Sequence, residues 1–141
     1  MARDRGGPAI VLQVLVYPAT DIGGESASKD RLGEGFFLTR PLMDWFMERY
    51  VRSHADALDP RLSVIRADLG GLPPAIVSTA GFDPLRDEGD AYAAALAKAG
   101  VRVERRPEPR LIHGWLTMGG VVPEAGRAVR SLALAVRGAL S

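Results

Sequence analysis

Two segments carry the residue types best suited to chemistry: GFDPLRDEG, with Asp83, and LIHGW, with His113. A carboxylate and an imidazole are two members of a hydrolytic triad. In that arrangement a nucleophilic oxygen attacks, the imidazole takes its proton, and the carboxylate holds the imidazole in one tautomer and stabilises it once charged. Here the acid precedes the base. When a serine nucleophile precedes both, it sits in a G-x-S-x-G elbow, a sharp turn from strand to helix. The serines are Ser26, Ser28, Ser53, Ser63, Ser78, Ser131 and Ser141, and none has glycines on both sides at that spacing. The chain therefore reads as the carboxyl-terminal half of a hydrolase.

Both residues need elements that bring them together. AIVSTAG, from Ala75, reads as a buried strand, Pro84 to Ala99 as a helix, VRVERR as a second strand and Pro123 to Leu140 as a closing helix. In the first of these helices Leu85, Tyr92, Leu96 and Ala99 share a face, and Gly100 stands where a left-handed cap is expected. Val129, Leu132, Val136 and Leu140 form the equivalent face of the last helix. These are βαβα units, predicting an α/β fold with a mostly parallel sheet flanked by helices. Asp83 and His113 each follow the carboxyl end of a strand, the edge at which open α/β sheets hold ligands. Topology alone can make them meet.

Upstream, Ala9 to Tyr17 (AIVLQVLVY) reads as a strand covered on both faces and ends at Pro18. Residues 20–38 are rich in Gly, Ser, Asp and Lys and predict a polar surface loop without regular structure. A helix is expected from Pro41 to Val51, with Leu42, Trp45, Phe46, Met47 and Tyr50 on an apolar face that packs against another element. Ser53 to Leu72 reads as an irregular, folded-back loop.

Composition narrows the function classes. A chain of 141 residues that is 47% apolar suits one domain with a real core, yet is short for a complete hydrolase. The net charge of +1 with interspersed signs marks no nucleic-acid surface. The lack of cysteine excludes disulfides and thiol catalysis and fits a reducing compartment, so a cytoplasmic location is expected. No apolar run is long enough for a membrane span.

Each candidate has a simpler structural reading. Asp83 before Pro84, with Asp87 and Glu88 in the first turn, also looks like a capped helix start. His54, in RSHADALD, reads as a surface residue without a role. Two histidines without ligand spacing predict neither a metal site nor a cofactor. Gly119-Gly120 lacks the Lys and Ser/Thr of a phosphate loop. Trp45 is expected in a core, whereas Trp115, beside the candidate base, is free for either role.

The runs LVYPATD, EGFFLTRPLMDWFMERY, DPRLS, GLPPAIVSTAGFDPLRDEGDAYAAALAKAGV and IHGW follow one another as in the hormone-sensitive-lipase-like branch of α/β-hydrolases, the hydrolase fold-3 domain. The similarity spans almost the whole chain. It implies one partial domain over residues 1–141, with an excursion at about residues 22–72. It also implies carboxylesterase activity on short to medium acyl esters without a cofactor, with Asp83 as triad acid and His113 as triad base. The family's G-D-S-A-G elbow and H-G-G-G oxyanion loop lie upstream of the matching part. MARDRGG is similar to the tail of the helix after the elbow, which implies that Met1 corresponds to an internal methionine of a longer protein. Val64 replaces a proline usual in the family, and Glu108 and Arg110 replace a Tyr and a Gly common before the His loop.

Three functions remain open at this level. The first is an ester hydrolase whose nucleophile lies outside this sequence, leaving the isolated chain inactive. The second is a noncatalytic module that binds small-molecule esters. The third is a fragment that completes another chain's sheet, because an apolar strand with an unpaired edge invites a homo-oligomer or pairing with a nucleophile-bearing half.

Overall fold

The computed structural model describes residues 2–141, apart from the side chain of His54. The expectations for Met1 and for His54 therefore lie outside the described residues. Three parallel strands form one sheet in chain order: β1 (Gln13–Val16), β2 (Ala75–Phe82) and β3 (Val103–Ile112). Helix α1 (Ala27–Leu32) and helix α2 (Arg40–Tyr50) lie between β1 and β2, α3 (Arg86–Lys98) joins β2 to β3, and α4 (Pro123–Leu140) closes the chain.

The side-chain alternation of β2 builds two cores. Ala75 and Val77 face α3 and pack with Tyr92, Ala93, Leu96 and Val101. Ile76 and Ala80 face the other way, with Leu111, Trp115, Ala125, Ala128 and Leu132. A strand covered on both faces is mostly apolar, and the two polar members of AIVSTAG have partners: Ser78 donates to the Arg106 carbonyl at 2.9 Å and Thr79 to Asp90 Oδ1 at 3.1 Å. Helix α3 ends in a Schellman pair, Val101 N–H to Leu96 C=O and Gly100 N–H to Ala97 C=O, both 3.0 Å. Gly100 takes the left-handed φ of 82° that this cap needs.

β1 is shorter than its apolar run predicts. Its ladder begins at Gln13 opposite Ala75 because β2 begins there: Pro73 and Pro74 precede it and have no N–H to give. Ile10 and Val11 accordingly stay exposed. β3 is longer than predicted and runs through Pro107 and Pro109. The Arg102 carbonyl faces β2, accepting from Ala75 N–H at 2.9 Å, so alternation turns the missing N–H of Pro107 to the outer edge. Proline there, with Arg105 beside it, blunts that edge. The outer edge of β1 has no such protection, and among the described residues no strand pairs with it.

Two expectations for the excursion fail. The stretch 20–38 contains α1, which Ser26 caps by accepting the Lys29 N–H. Helix α2 forms where expected, with Thr39 capping and Pro41 in its first turn, but it has no buried residue. Trp45, Phe46 and Tyr50 are at least half exposed or nearly so, at 49%, 53% and 76%. The sheet faces are already taken by α3 and α4, which leaves the aromatic side of α2 outward. Trp45 there meets Phe46 edge-on at 5.3 Å and carries the Arg49 guanidinium over its ring. Trp115 goes the opposite way and is fully buried in the α4-side core. Ala99 and Leu140, assigned to apolar faces, are exposed at the helix ends.

One glycine fixes how β3 passes β2. At the register shift between Ala80 and Phe82, a Cβ on Gly81 would stand 2.1 Å from the Pro109 carbonyl oxygen. Gly81→Ala is expected to destabilise the chain by about 3 kcal/mol or to prevent folding. Gly100→Ala, with open space and only an unfavourable backbone to resist, costs about 1 kcal/mol. Urea unfolding midpoints check the ranking, and equal midpoints would show that β3 does not pass so close.

Candidate active site

β2 ends at Phe82, and the next residue, Asp83, is fully buried at the turn into α3. Its Oδ1 accepts the Leu85 N–H at 2.8 Å, and its carbonyl accepts the Arg86 N–H at 3.1 Å. The local role read from sequence is therefore real as an Asx turn ahead of α3, whose own N-cap, Leu85, has no side-chain capping bond. Oδ2 does something else: it lies 2.8 Å from Nδ1 of His113. One carboxylate serves the turn with one oxygen and the imidazole with the other. A buried carboxylate left unpaired would be costly, and both oxygens have partners.

His113 follows the last residue of β3 and precedes Gly114, whose φ of 82° turns the chain into a 3₁₀ turn at Trp115–Thr117. The positive φ favours glycine there, and a Cβ would approach the exposed Phe37 ring to 3.0 Å, so that ring would have to yield. With Nδ1–H donated to the carboxylate, Nε2 keeps its lone pair and is the basic nitrogen. The side chain is 21% exposed, enough to meet a substrate from one side. Glu108 and Arg110 do not displace this geometry. Burial raises the Glu108 carboxyl above its ordinary range, against the pull of Arg106, while His113 still reaches Asp83.

A cavity of about 420 Å³ opens on His113 and is walled by Tyr17, Leu38, Met43, Met47 and Leu85. The excursion and α2 thus supply one side and the sheet edge the other. A larger groove of about 880 Å³ lies elsewhere, between the amino-terminal segment and residues 60–73, and neither Asp83 nor His113 lines it. Tyr17, at the end of β1, places its ring 4.4 Å from the His113 ring. Burial, then the Asp83 charge, raises its hydroxyl pKa.

A buried ion pair holds the wall in place. Lys29 Nζ lies 2.7 Å from Glu88 Oε2 and donates to the carbonyls of Asp21 and Gly24 at 3.0 and 2.6 Å. Glu88 Oε1 accepts the N–H groups of Thr20 and Asp21 at 2.6 and 3.0 Å. Ser28 donates to the Pro84 carbonyl at 2.7 Å, tying α1 to the turn that carries Asp83. Sequence reasoning missed this brace and Tyr17. The available signal was Glu88 in DPLRDEG, which is one residue more acidic than a cap needs.

The serines described as bonded serve other partners. Ser63 donates to Ala57, Ser78 to Arg106 and Ser141 to Arg137, and Ser131 accepts from Arg106. Ser26, in Gly24-Glu25-Ser26, has an extended backbone and caps a helix separated from β1 by the loop 17–26 and not by a sharp turn. An elbow serine is instead strained between strand and helix. Among the described residues no serine is hydrogen-bonded to His113, and no cluster of three or more acidic or His side chains could hold a metal ion.

The family model for the alpha/beta hydrolase fold matches residues 1–117. The chain belongs to the α/β-hydrolase family. Carboxylic ester hydrolase LipN of Mycobacterium tuberculosis is 45% identical over 99% of this chain and 38% of its own length. Carboxylesterase NlhH of the same species is 42% identical over 91% of this chain and 41% of its own length. Among solved structures, the esterase of Pyrobaculum calidifontis superposes with a TM-score of 0.92 at 40% identity, covering 97% of this chain and 46% of that one. The chain thus spans less than half the length of these α/β-hydrolases. Its parallel sheet flanked by helices is the corresponding portion of their fold. No helix among the described residues is long and apolar enough to cross a membrane.

Breaking the brace should be worse than replacing it. Lys29→Met alone is expected to destabilise this hydrolase chain by about 3 kcal/mol, because it leaves Glu88 buried and unpaired. Lys29→Met with Glu88→Met should recover more than half of that loss. Denaturant titrations of the single and double variants decide it, and additive losses would show that the two side chains do not interact.

Proposed function

We propose that this chain supplies the acid and base of a carboxylic ester hydrolase, whose nucleophilic serine and oxyanion loop come from outside this sequence. The observation that carries the reading is the 2.8 Å contact between Asp83 Oδ2 and His113 Nδ1, with the ring at a cavity. The carboxylesterases LipN and NlhH support it by similarity. In the assembled site His113 Nε2 takes the serine proton as the oxygen attacks the ester carbonyl. It returns that proton to the departing alcohol, leaving an acyl-enzyme. Water then attacks by the same path: Nε2 takes its proton and gives it to the departing serine oxygen as the acid is released. Asp83 holds the tautomer and stabilises the imidazolium throughout.

The substrate class is a small ester of short to medium acyl length, and the cytoplasm is the proposed location. The unit is one partial hydrolase domain over residues 1–141, with its excursion near 22–72 walling the pocket. A second reading, sheet completion, is favoured by the outer edge of β1, which among the described residues has no strand partner although Val14, Leu15 and Val16 are apolar. The partner on that edge is a nucleophile-bearing half or a second copy.

Loss of the nucleophile costs as much as loss of a whole triad, and each absent oxyanion donor costs about 3 to 4 kcal/mol more. The purified chain is therefore expected to hydrolyse a p-nitrophenyl acyl ester no faster than buffer. Sustained turnover that disappears in His113→Ala would overturn the proposal.

A further inference from the structure

Among the described residues, two other than glycine take a positive φ, Tyr17 at 39° and Phe37 at 74°. For Tyr17 this is doubly unusual, since the residue before a proline is ordinarily held extended, and Pro18 follows. Such a conformation persists only where its surroundings over-determine it. The Tyr17 N–H donates to the Ser78 carbonyl at 2.7 Å, so the backbone is pinned to β2 at the point of strain. The turn delivers the ring 4.4 Å from His113, tilted by 53°, and 6.1 Å from the buried Trp115, edge-on.

The imidazole needs this contact. Its bond to Asp83 fixes one ring atom, but rotation about the terminal torsion of histidine is broad and only roughly two-fold. An unsupported ring can swing off the carboxylate or flip between its nitrogens. We infer that Tyr17 is a positioning residue, whose ring confines the His113 imidazole to the orientation with Nδ1 on Asp83 and Nε2 at the cavity. The assignment rests on the acid–base reading above. It explains why a strained tyrosine directly follows β1 where an extended residue would suit both the strand and the proline.

Nitrogen and proton NMR of the His113 ring tests it without any turnover. The wild-type chain should show one tautomer and a downfield Nδ1 proton that exchanges slowly. Tyr17→Asn keeps a residue that tolerates the left-handed backbone but removes the ring. It should give mixed tautomers and an Nδ1 proton that exchanges about tenfold faster, the worth of one aromatic contact. Tyr17→Phe should restore the wild-type signals. If Tyr17→Asn does not fold, Tyr17→Gly, which relieves the backbone strain, takes its place with the same expectation. Unchanged tautomer and exchange in the ringless variant would overturn the assignment, as would a Tyr17→Phe variant as defective as Tyr17→Asn. A wild-type chain whose Nδ1 proton is unaffected by Asp83→Asn would instead remove the pairing on which both this inference and the proposed function stand.

Discussion

The hydrogen bond between Asp83 and His113 sets the terms for everything around it. It joins the ends of β2 and β3, and a buried carboxylate can occupy that place only with both oxygens engaged. The turn after β2 satisfies one oxygen and the turn after β3 the other. Gly81 and Gly114 are constraints of the same bond. The first lets Pro109 pass β2 as β3 crosses its register shift, and the second lets the chain turn away directly after the imidazole.

Around that bond the molecule is built asymmetrically. Two helices seal the faces of the sheet, and proline blunts the outer edge of β3, so those surfaces are finished. The outer edge of β1 and the aromatic side of α2 are not. The relatives are more than twice as long as this chain. The Lys29–Glu88 pair holds the excursion against α3 by charge and hydrogen bonds where the excursion buries little of its own apolar surface. Among its described residues only Leu38, Ala57 and Leu69 carry a buried apolar side chain.

Sequence reasoning reached the parallel sheet, α3, α4 and the pairing of Asp83 with His113, because each depends on local periodicity and on which strand ends a residue follows. It failed where a tertiary fact decides. The run at Ala9 to Tyr17 looks like a long strand, but its ladder can only be as long as the partner permits, and Pro73-Pro74 cut it short. Helix α2 has an amphipathic pattern that predicts packing, and pattern alone does not say whether the covering surface is present. Trp45 and Trp115 could not be told apart for the same reason: one sits on that uncovered face, and the other follows a left-handed glycine into the core. Tyr17 was invisible because a strained φ before a proline is what sequence rules exclude.

The most direct measurement is complementation. The chain is mixed, or co-expressed, with a serine-bearing amino-terminal portion of a related carboxylesterase, and hydrolysis of a short-chain p-nitrophenyl ester is followed. Activity that exceeds either part alone and is lost with His113→Ala and with Asp83→Ala is the predicted result. A complex that forms and hydrolyses the ester equally well with both residues replaced would contradict the account.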